Sequence, residues 1–199
     1  MEFLQALKNR RSVYGFAPGK ALSNTEVEAL IKDVIKHVPS AFNSQSTRAL
    51  VLFDDAHRRF WDLVTAAIAK VTDAAAFEAS RQKIEGAFKS GFFTVLFFED
   101  ESVVDGLVSG FPLYAKNFPV WSQHTNAMSQ LAVWTALAEA GIGASLQHYT
   151  ELVEQDVRAA WNIPASWKLI AQMPAGIPAA PAGEKEFSDI SARVLTAET

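Results

Sequence analysis

Hydrophobic positions along the chain repeat with two periods, one helical and one extended. Phe3, Leu4 and Leu7 fall on one side of residues 2–9, which predicts a short amphipathic helix. Behind Ser23-Asn24-Thr25-Glu26, a capping box, Val27, Leu30, Ile31, Val34 and Ile35 form the apolar face of a second helix that ends by Pro39. The continuous run Ala49-Leu50-Val51-Leu52-Phe53 predicts a buried strand. Residues 56–70, with Phe60, Leu63, Val64 and Ala67 on one stripe, and the more polar 75–88 read as helices, and Ser90-Gly91 breaks the pattern. Residues 92–98 carry the strongest strand signal and predict a central strand. Helices over 101–108, 123–140 and about 151–161 follow, with a strand Leu169 to Met173. The helix over 123–140 is rich in alanine, which implies close packing on most sides, and Gly141 stops it.

Other stretches fit neither period. Between 110 and 122 lie Phe111, Pro112, Tyr114, Phe118, Pro119 and Trp121, too aromatic for a linker and too proline-broken for a helix of normal length. This segment is expected to cover a pocket or another subunit. Residues 174–183, with three prolines and two glycines, read as an extended, stiffened connection. Glu99-Asp100-Glu101 precedes a helix, where acidic residues complement the helix dipole rather than form a catalytic pair. Without internal repeats, residues 1–199 read as a single domain.

Composition narrows the function classes. A hydrophobic share of 49% with 20% charged residues describes a globular chain with an ample core. No apolar run approaches the roughly 20 residues needed to span a bilayer, and the start lacks the features of a signal peptide. The expectation is a soluble cytoplasmic protein. A net charge of −4 argues against broad binding to nucleic acid or anionic membranes. With no cysteine and four histidines, none at H-x-x-x-H spacing, thiolate catalysis is excluded and a metal site has little to build on. Redox chemistry would have to belong to a cofactor.

Candidate chemistry concentrates in a loop and an arginine pair. Pro39 stops the second helix, and Ser40, Asn43, Ser44, Gln45 and Ser46 then present amides and hydroxyls just before the strand at 49–53. Such a loop is either a polar turn that satisfies its own backbone or a recognition surface. The alternating donors and acceptors of Asn and Gln suit the edge of a heteroaromatic ring such as an isoalloxazine, with Phe42 as an apolar contact. Arg10, Arg11 and Ser12 offer two guanidinium forks and a hydroxyl, which is either solvated surface or a site for a phosphate monoester.

The order of these features resembles the FMN-dependent nitroreductase family: Arg-Arg-Ser after a first helix, Pro-Ser-x-x-Asn-Ser-Gln before a strand, and a long alanine-rich helix ending in Gly141-Ile142-Gly143-Ala144-Ser145. Trp134 to Tyr149, Ala171 to Gly176 and Pro181 to Phe187 look like the subgroup named after the yeast fatty acid repression mutant protein. The resemblance implies an α+β fold, a central mostly antiparallel sheet wrapped by helices, and an intertwined homodimer with FMN at each of two interfacial sites. It places Arg10, Arg11, Ser12 and Lys185 at the phosphate and ribityl end. Ser40, Phe42, Asn43 and Gln45, from the partner chain, would frame the ring, and Leu146, Gln147 and His148 would approach N5 through the backbone. Tyr14 stands where many nitroreductases carry a basic residue, which leaves Arg48 as the candidate cation near N1-O2, or else as a solvent-exposed arginine at a strand edge. His148 could be a general acid, though a backbone contact suits the chemistry better, and Trp121 could line the substrate face or belong to the core. The implied activity is ping-pong hydride transfer from NADH or NADPH, through flavin N5, to a nitroaromatic or quinone, with no catalytic side chain. A non-catalytic FMN-binding regulator is the alternative.

Overall fold

The computed structural model describes residues 2–197. The chain runs α1 (Phe3–Asn9), β1 (Phe16–Ala17), α2 (Asn24–His37), β2 (Thr47–Phe53), α3 (Asp54–Ile68), α4 (Ala74–Lys83), β3 (Phe93–Asp100), α5 (Glu101–Gly110), α6 (Phe118–Glu139), β4 (Gly143–Ala144), α7 (Thr150–Trp161) and β5 (Trp167–Pro178). The strands form one sheet in the order β1-β5-β3-β2, with β4 also on β5, and all of these pairs are antiparallel.

β3 lies at the centre, and its period of two sorts its side chains between two cores. Leu96 and Phe98 pack with Phe60, Trp61 and Val64 of α3 and with Val153 and Val157 of α7. Phe93, Val95 and Phe97 pack on the opposite face with Val27 and Ile31 of α2 and with Val133 and Leu137 of α6. Helices therefore cover both faces of an antiparallel sheet. The run over 92–98 is apolar except for Thr94 because neither face meets water.

The predicted capping box is present: the Ser23 hydroxyl accepts from the Glu26 N–H, and the Ser23 N–H donates to the Glu26 carboxylate at 2.8 Å. Other boundaries shift. α6 begins at Phe118 rather than 123, because Pro119 sits in the first turn, where its missing N–H has no helical partner to lose. The helix expected over 75–88 stops at Lys83 and continues as a π-helical turn, Ile84–Phe88. Residues 174–178, expected as a connection, are the second half of β5. Pro174 is tolerated there because its missing N–H faces the irregular segment after β4, whose Ser145 N–H donates to the Pro174 carbonyl at 3.3 Å.

Candidate functional site

The arginine pair sits where α1 runs into the sheet. Ser12 bridges to Ala144 of β4, and the Val13 N–H donates to the Ala144 carbonyl at 2.9 Å. This pins the Arg10-Arg11-Ser12 stretch to the end of α6 and the turn that follows it. The Arg10 guanidinium lies 4.4 Å from the centroid of the Trp134 ring on α6. Its Nε is buried with no hydrogen-bond partner. Burial, and then the neighbouring Arg11 charge, lower the Arg10 pKa. Arg11 donates to the Gly183 carbonyl at 2.6 Å, which draws the C-terminal stretch across the pair.

Arg10, Arg11 and Lys185 consequently line a shared cavity of about 410 Å³ with Leu7, Leu131 and Phe187. A neighbouring cavity of about 310 Å³ adds Ser12 and Tyr14 to the same cations. Like charges gathered on one wall repel until an anion arrives, and the free Arg10 Nε is a donor without an acceptor. A phosphate would relieve the repulsion, though it would not reach the enclosed Arg10 Nε, so the set of two guanidinium groups and an ammonium fits a phosphate monoester.

The segment after β4 extends this edge of the sheet. Gln147 exchanges both backbone hydrogen bonds with Gln172 of β5, at 2.7 and 2.9 Å. Alternation along an extended chain then turns the amides of Leu146 and His148 away from β5. The Gln172 side chain holds the turn from inside by accepting the Tyr149 N–H at 2.7 Å. His148 is exposed and Leu146 and Gln147 are half-buried, so the outward side of this stretch is accessible.

The polar loop is built differently. Phe42, Asn43 and Gln45 have φ values of 56°, 52° and 49°, left-handed backbone that costs a non-glycine residue about 1–2 kcal/mol. Asn tolerates it, whereas a Phe needs strong support from its surroundings. Phe42 finds that support in the segment before and within α6. Its ring centroid is 5.0 Å from Phe111, 5.1 Å from Phe118 and 5.8 Å from Tyr114, and its plane lies 18° from that of Trp121 at 6.4 Å. Backbone bonds close the loop: the Asn43 N–H donates to the Ser40 carbonyl at 3.0 Å, and the Gln45 N–H to the Ser40 hydroxyl at 2.9 Å. Even so, Phe42 is half exposed, and Asn43 and Gln45 face solvent.

Arg48 is engaged rather than free. It donates to the Gln45 carbonyl at 2.6 Å and pairs with Asp100 at 3.0 Å. Burial pushes the Asp100 carboxyl up, but hydrogen bonds from Ser102 and Ser166 and the Arg48 charge outweigh it, leaving the pKa below the usual range. Asp100 also caps α5 by accepting the Ser102 N–H, which agrees with the helix-entry reading of the acidic run. Glu99 does not fit that reading, because it points into the protein with 1% of its surface exposed.

The predicted residues thus form two groups. Arg10, Arg11, Ser12, Lys185 and Leu146 to His148 share one edge of the sheet, and Ser40, Phe42, Asn43, Gln45, Arg48 and Trp121 share the other. Between Gln147 and Thr47 lie β5 and β3, and these inter-strand steps amount to about 14 Å. Along α6, the rise from Trp121, which meets Phe42, to Trp134, which meets Arg10, is about 20 Å.

A family model described as "Nitroreductase family" matches residues 7–177. Two Saccharomyces cerevisiae proteins are similar over nearly the whole chain: HBN1, 36% identical across 93% of this chain and 92% of its own, and the nitroreductase FRM2, 33% identical across the same shares. The chain belongs to the Nitroreductase family. Among solved structures, the nitroreductase CinD from Lactococcus lactis in complex with nicotinic acid superimposes with a TM-score of 0.89 at 44% identity, covering 99% of this chain and 100% of CinD. CinD has also been solved with chloramphenicol and with 4-nitrophenol.

Within this nitroreductase fold, sequence reading identified the aromatic segment and the loop but not their contact. Phe111, Tyr114 and Phe118 enter the site only through Phe42, and their sole signal was an unusual density of rings. Glu99 carried no signal beyond a charge at the end of an apolar strand.

Proposed function

We propose that this protein is a homodimeric, FMN-dependent oxidoreductase that reduces nitroaromatic or quinone acceptors with electrons from NADH or NADPH. The observation that carries the reading is the convergence of Arg10, Arg11 and Lys185 on one wall, at the sheet edge that also carries Leu146 to His148, in a nitroreductase chain. Bound FMN would supply the redox chemistry, accepting hydride from the nicotinamide at N5 and passing two electrons to the acceptor in separate half-reactions.

The chain's own groups would bind, orient and shield. Arg10, Arg11, Ser12 and Lys185 would hold the phosphate end, and the Leu146 and His148 amides would meet the N5 edge. Ser40, Phe42, Asn43 and Gln45 lie too far across the sheet to reach the same ring, so a second copy of the chain would present them, with its Trp121 behind Phe42. Arg48, sharing its charge with Asp100, is the cation on that side. Two features support the second copy. Phe3, Leu4, Met128, Leu131, Phe187 and Leu195 are exposed, and α1, α2 and α6 border an apolar groove of about 790 Å³. The complexes of CinD with chloramphenicol and 4-nitrophenol, both nitroaromatic, support the acceptor class.

The test is the visible spectrum of purified protein with FMN, under anaerobic conditions, on adding NADH or NADPH and then 4-nitrophenol or a quinone. Bleaching by the nicotinamide and recovery with the acceptor over many cycles is expected. Flavin that binds but never bleaches would point instead to an FMN-binding regulator, and a chain that takes up no FMN would overturn the cofactor assignment.

A further inference from the structure

Three successive carbonyls at the root of the polar loop are taken up by two residues. Arg48 Nη1 donates to the Gln45 carbonyl at 2.6 Å and to the Thr47 carbonyl at 3.3 Å, and the Asp100 N–H donates to the Ser46 carbonyl between them at 3.0 Å. Arg48 Nη2 donates to Asp100 Oδ2 at 3.0 Å, which joins the two. Strand pairing explains why they meet. Arg48 stands opposite Phe98 in the β2–β3 ladder, and Asp100, two residues on, stands opposite Trp167 in the β3–β5 ladder, so alternation sets all four side chains on one face. The guanidinium lies 5.7 Å from the centroid of the Trp167 ring, which packs 5.8 Å from that of Phe98. Asp100 is also held through its other oxygen, because Oδ1 accepts from the Ser102 N–H at 3.3 Å and from the Ser102 hydroxyl at 2.6 Å.

Gln45 is the last of the three left-handed residues, so a grip on its carbonyl fixes how the loop enters β2. Such backbone persists only where the surroundings over-determine it. The rings around Phe42 do this at the tip, and Arg48 does it at the root. Its two Nη1 bonds and the balancing charge of Asp100 commit the guanidinium to the chain itself.

We propose that Arg48 is a positioning residue of the site: anchored by Asp100, it holds the Gln45 carbonyl and so presents Phe42, Asn43 and Gln45 to the cofactor in one geometry, rather than meeting the flavin as the cation at N1-O2. The cofactor part of this inference rests on the function proposed above; the link itself does not.

The test combines hydrogen exchange at the Asn43, Ser44 and Gln45 amides, which are bonded within the loop, with the Kd of the full chain for oxidised and for reduced FMN, read by anaerobic equilibrium dialysis. Arg48→Ala is expected to speed exchange at these amides at least tenfold and to raise both Kd values at least fivefold, with their ratio unchanged within twofold. Asp100→Asn keeps an oxygen to cap α5 but removes the charge that anchors Arg48. It is expected to speed loop exchange at least threefold without tightening reduced FMN. Unchanged loop exchange in Arg48→Ala would overturn the proposal, as would exchange that rises equally along β3 and β5, the mark of a general structural role. A loss for reduced FMN tenfold greater than for oxidised FMN in Arg48→Ala, or tighter reduced FMN in Asp100→Asn, would make Arg48 the flavin's own cation and equally overturn it. Should Arg48→Ala not fold, Asp100→Asn must show the loop-confined increase, or the proposal fails. If the unaltered chain binds no FMN, the cofactor reading falls while the exchange measurement still decides the link.

Discussion

At the scale of single residues, buried polar groups are either linked into chains of bonds or left with one open position. His57 belongs to the first kind. Trp61 Nε1 bonds to the Thr94 hydroxyl at 3.0 Å, that hydroxyl lies 2.8 Å from His57 Nδ1, and Nε2 faces the Lys89 carbonyl at 3.3 Å. The chain of donors is satisfied by a neutral imidazole whose Nε2 carries the proton. Burial lowers the His57 pKa to about 4, below its ordinary 6.5. The unfolded chain therefore takes up the proton first, so the contribution to stability is intact above pH 6.5 and is lost as pH falls towards 4. The difference between pH 7.5 and pH 5 is expected to be about 2 kcal/mol. Urea unfolding at the two pH values, compared with His57→Gln, measures it, and the variant should show a drop smaller by that amount. Nothing in the sequence distinguished this histidine from an exposed one, because its partners lie on other elements. Arg10 is of the second kind, and there the sequence was more informative, since two adjacent arginines and a serine after a short helix are themselves a pattern.

Elements were legible where periodicity or capping decided them and illegible where proline did. The Ser23 capping box and the β3 run could be read directly because a local pattern and its burial coincide. Pro119 and Pro174 misled for one reason: a missing N–H matters only if the fold requires that donor, and the fold requires it at neither place. Two-residue strands such as β1 and β4 are set by what they pair with rather than by their own residues. Gly91, read as a break, is also a packing requirement. A Cβ there would sit 2.5 Å from the Ala175 carbonyl oxygen on β5 and 3.3 Å from the Phe16 ring. Because the nearest atom is backbone, Gly91→Ala should force β3 and β5 apart at that end and cost about 2 kcal/mol. Denaturant unfolding monitored by circular dichroism would show the loss.

For the whole molecule, residues that share a task are far apart in sequence, and on the proposed reading they belong to different chains. Arg11 and Lys185 meet because Arg11 grips the Gly183 carbonyl, a contact no local pattern foretells. The arrangement of the two edges is open to a complementation test. A chain carrying Arg11→Ala and a chain carrying both Phe42→Ala and Gln45→Ala should each bind FMN weakly alone. Coexpressed, their mixed dimers gather all the substitutions in one site and leave the other intact, so flavin content per mixed dimer should approach half of the unaltered level. Sites formed within a single chain would show no such recovery. With the phosphate wall on one sheet edge and the strained loop on the other, flavin occupancy on this reading also becomes a matter of mass action. Dilution below the self-association constant would release cofactor, and added FMN would oppose the release by drawing single chains back into dimers, so the protein's own abundance would help to set how much of it is active.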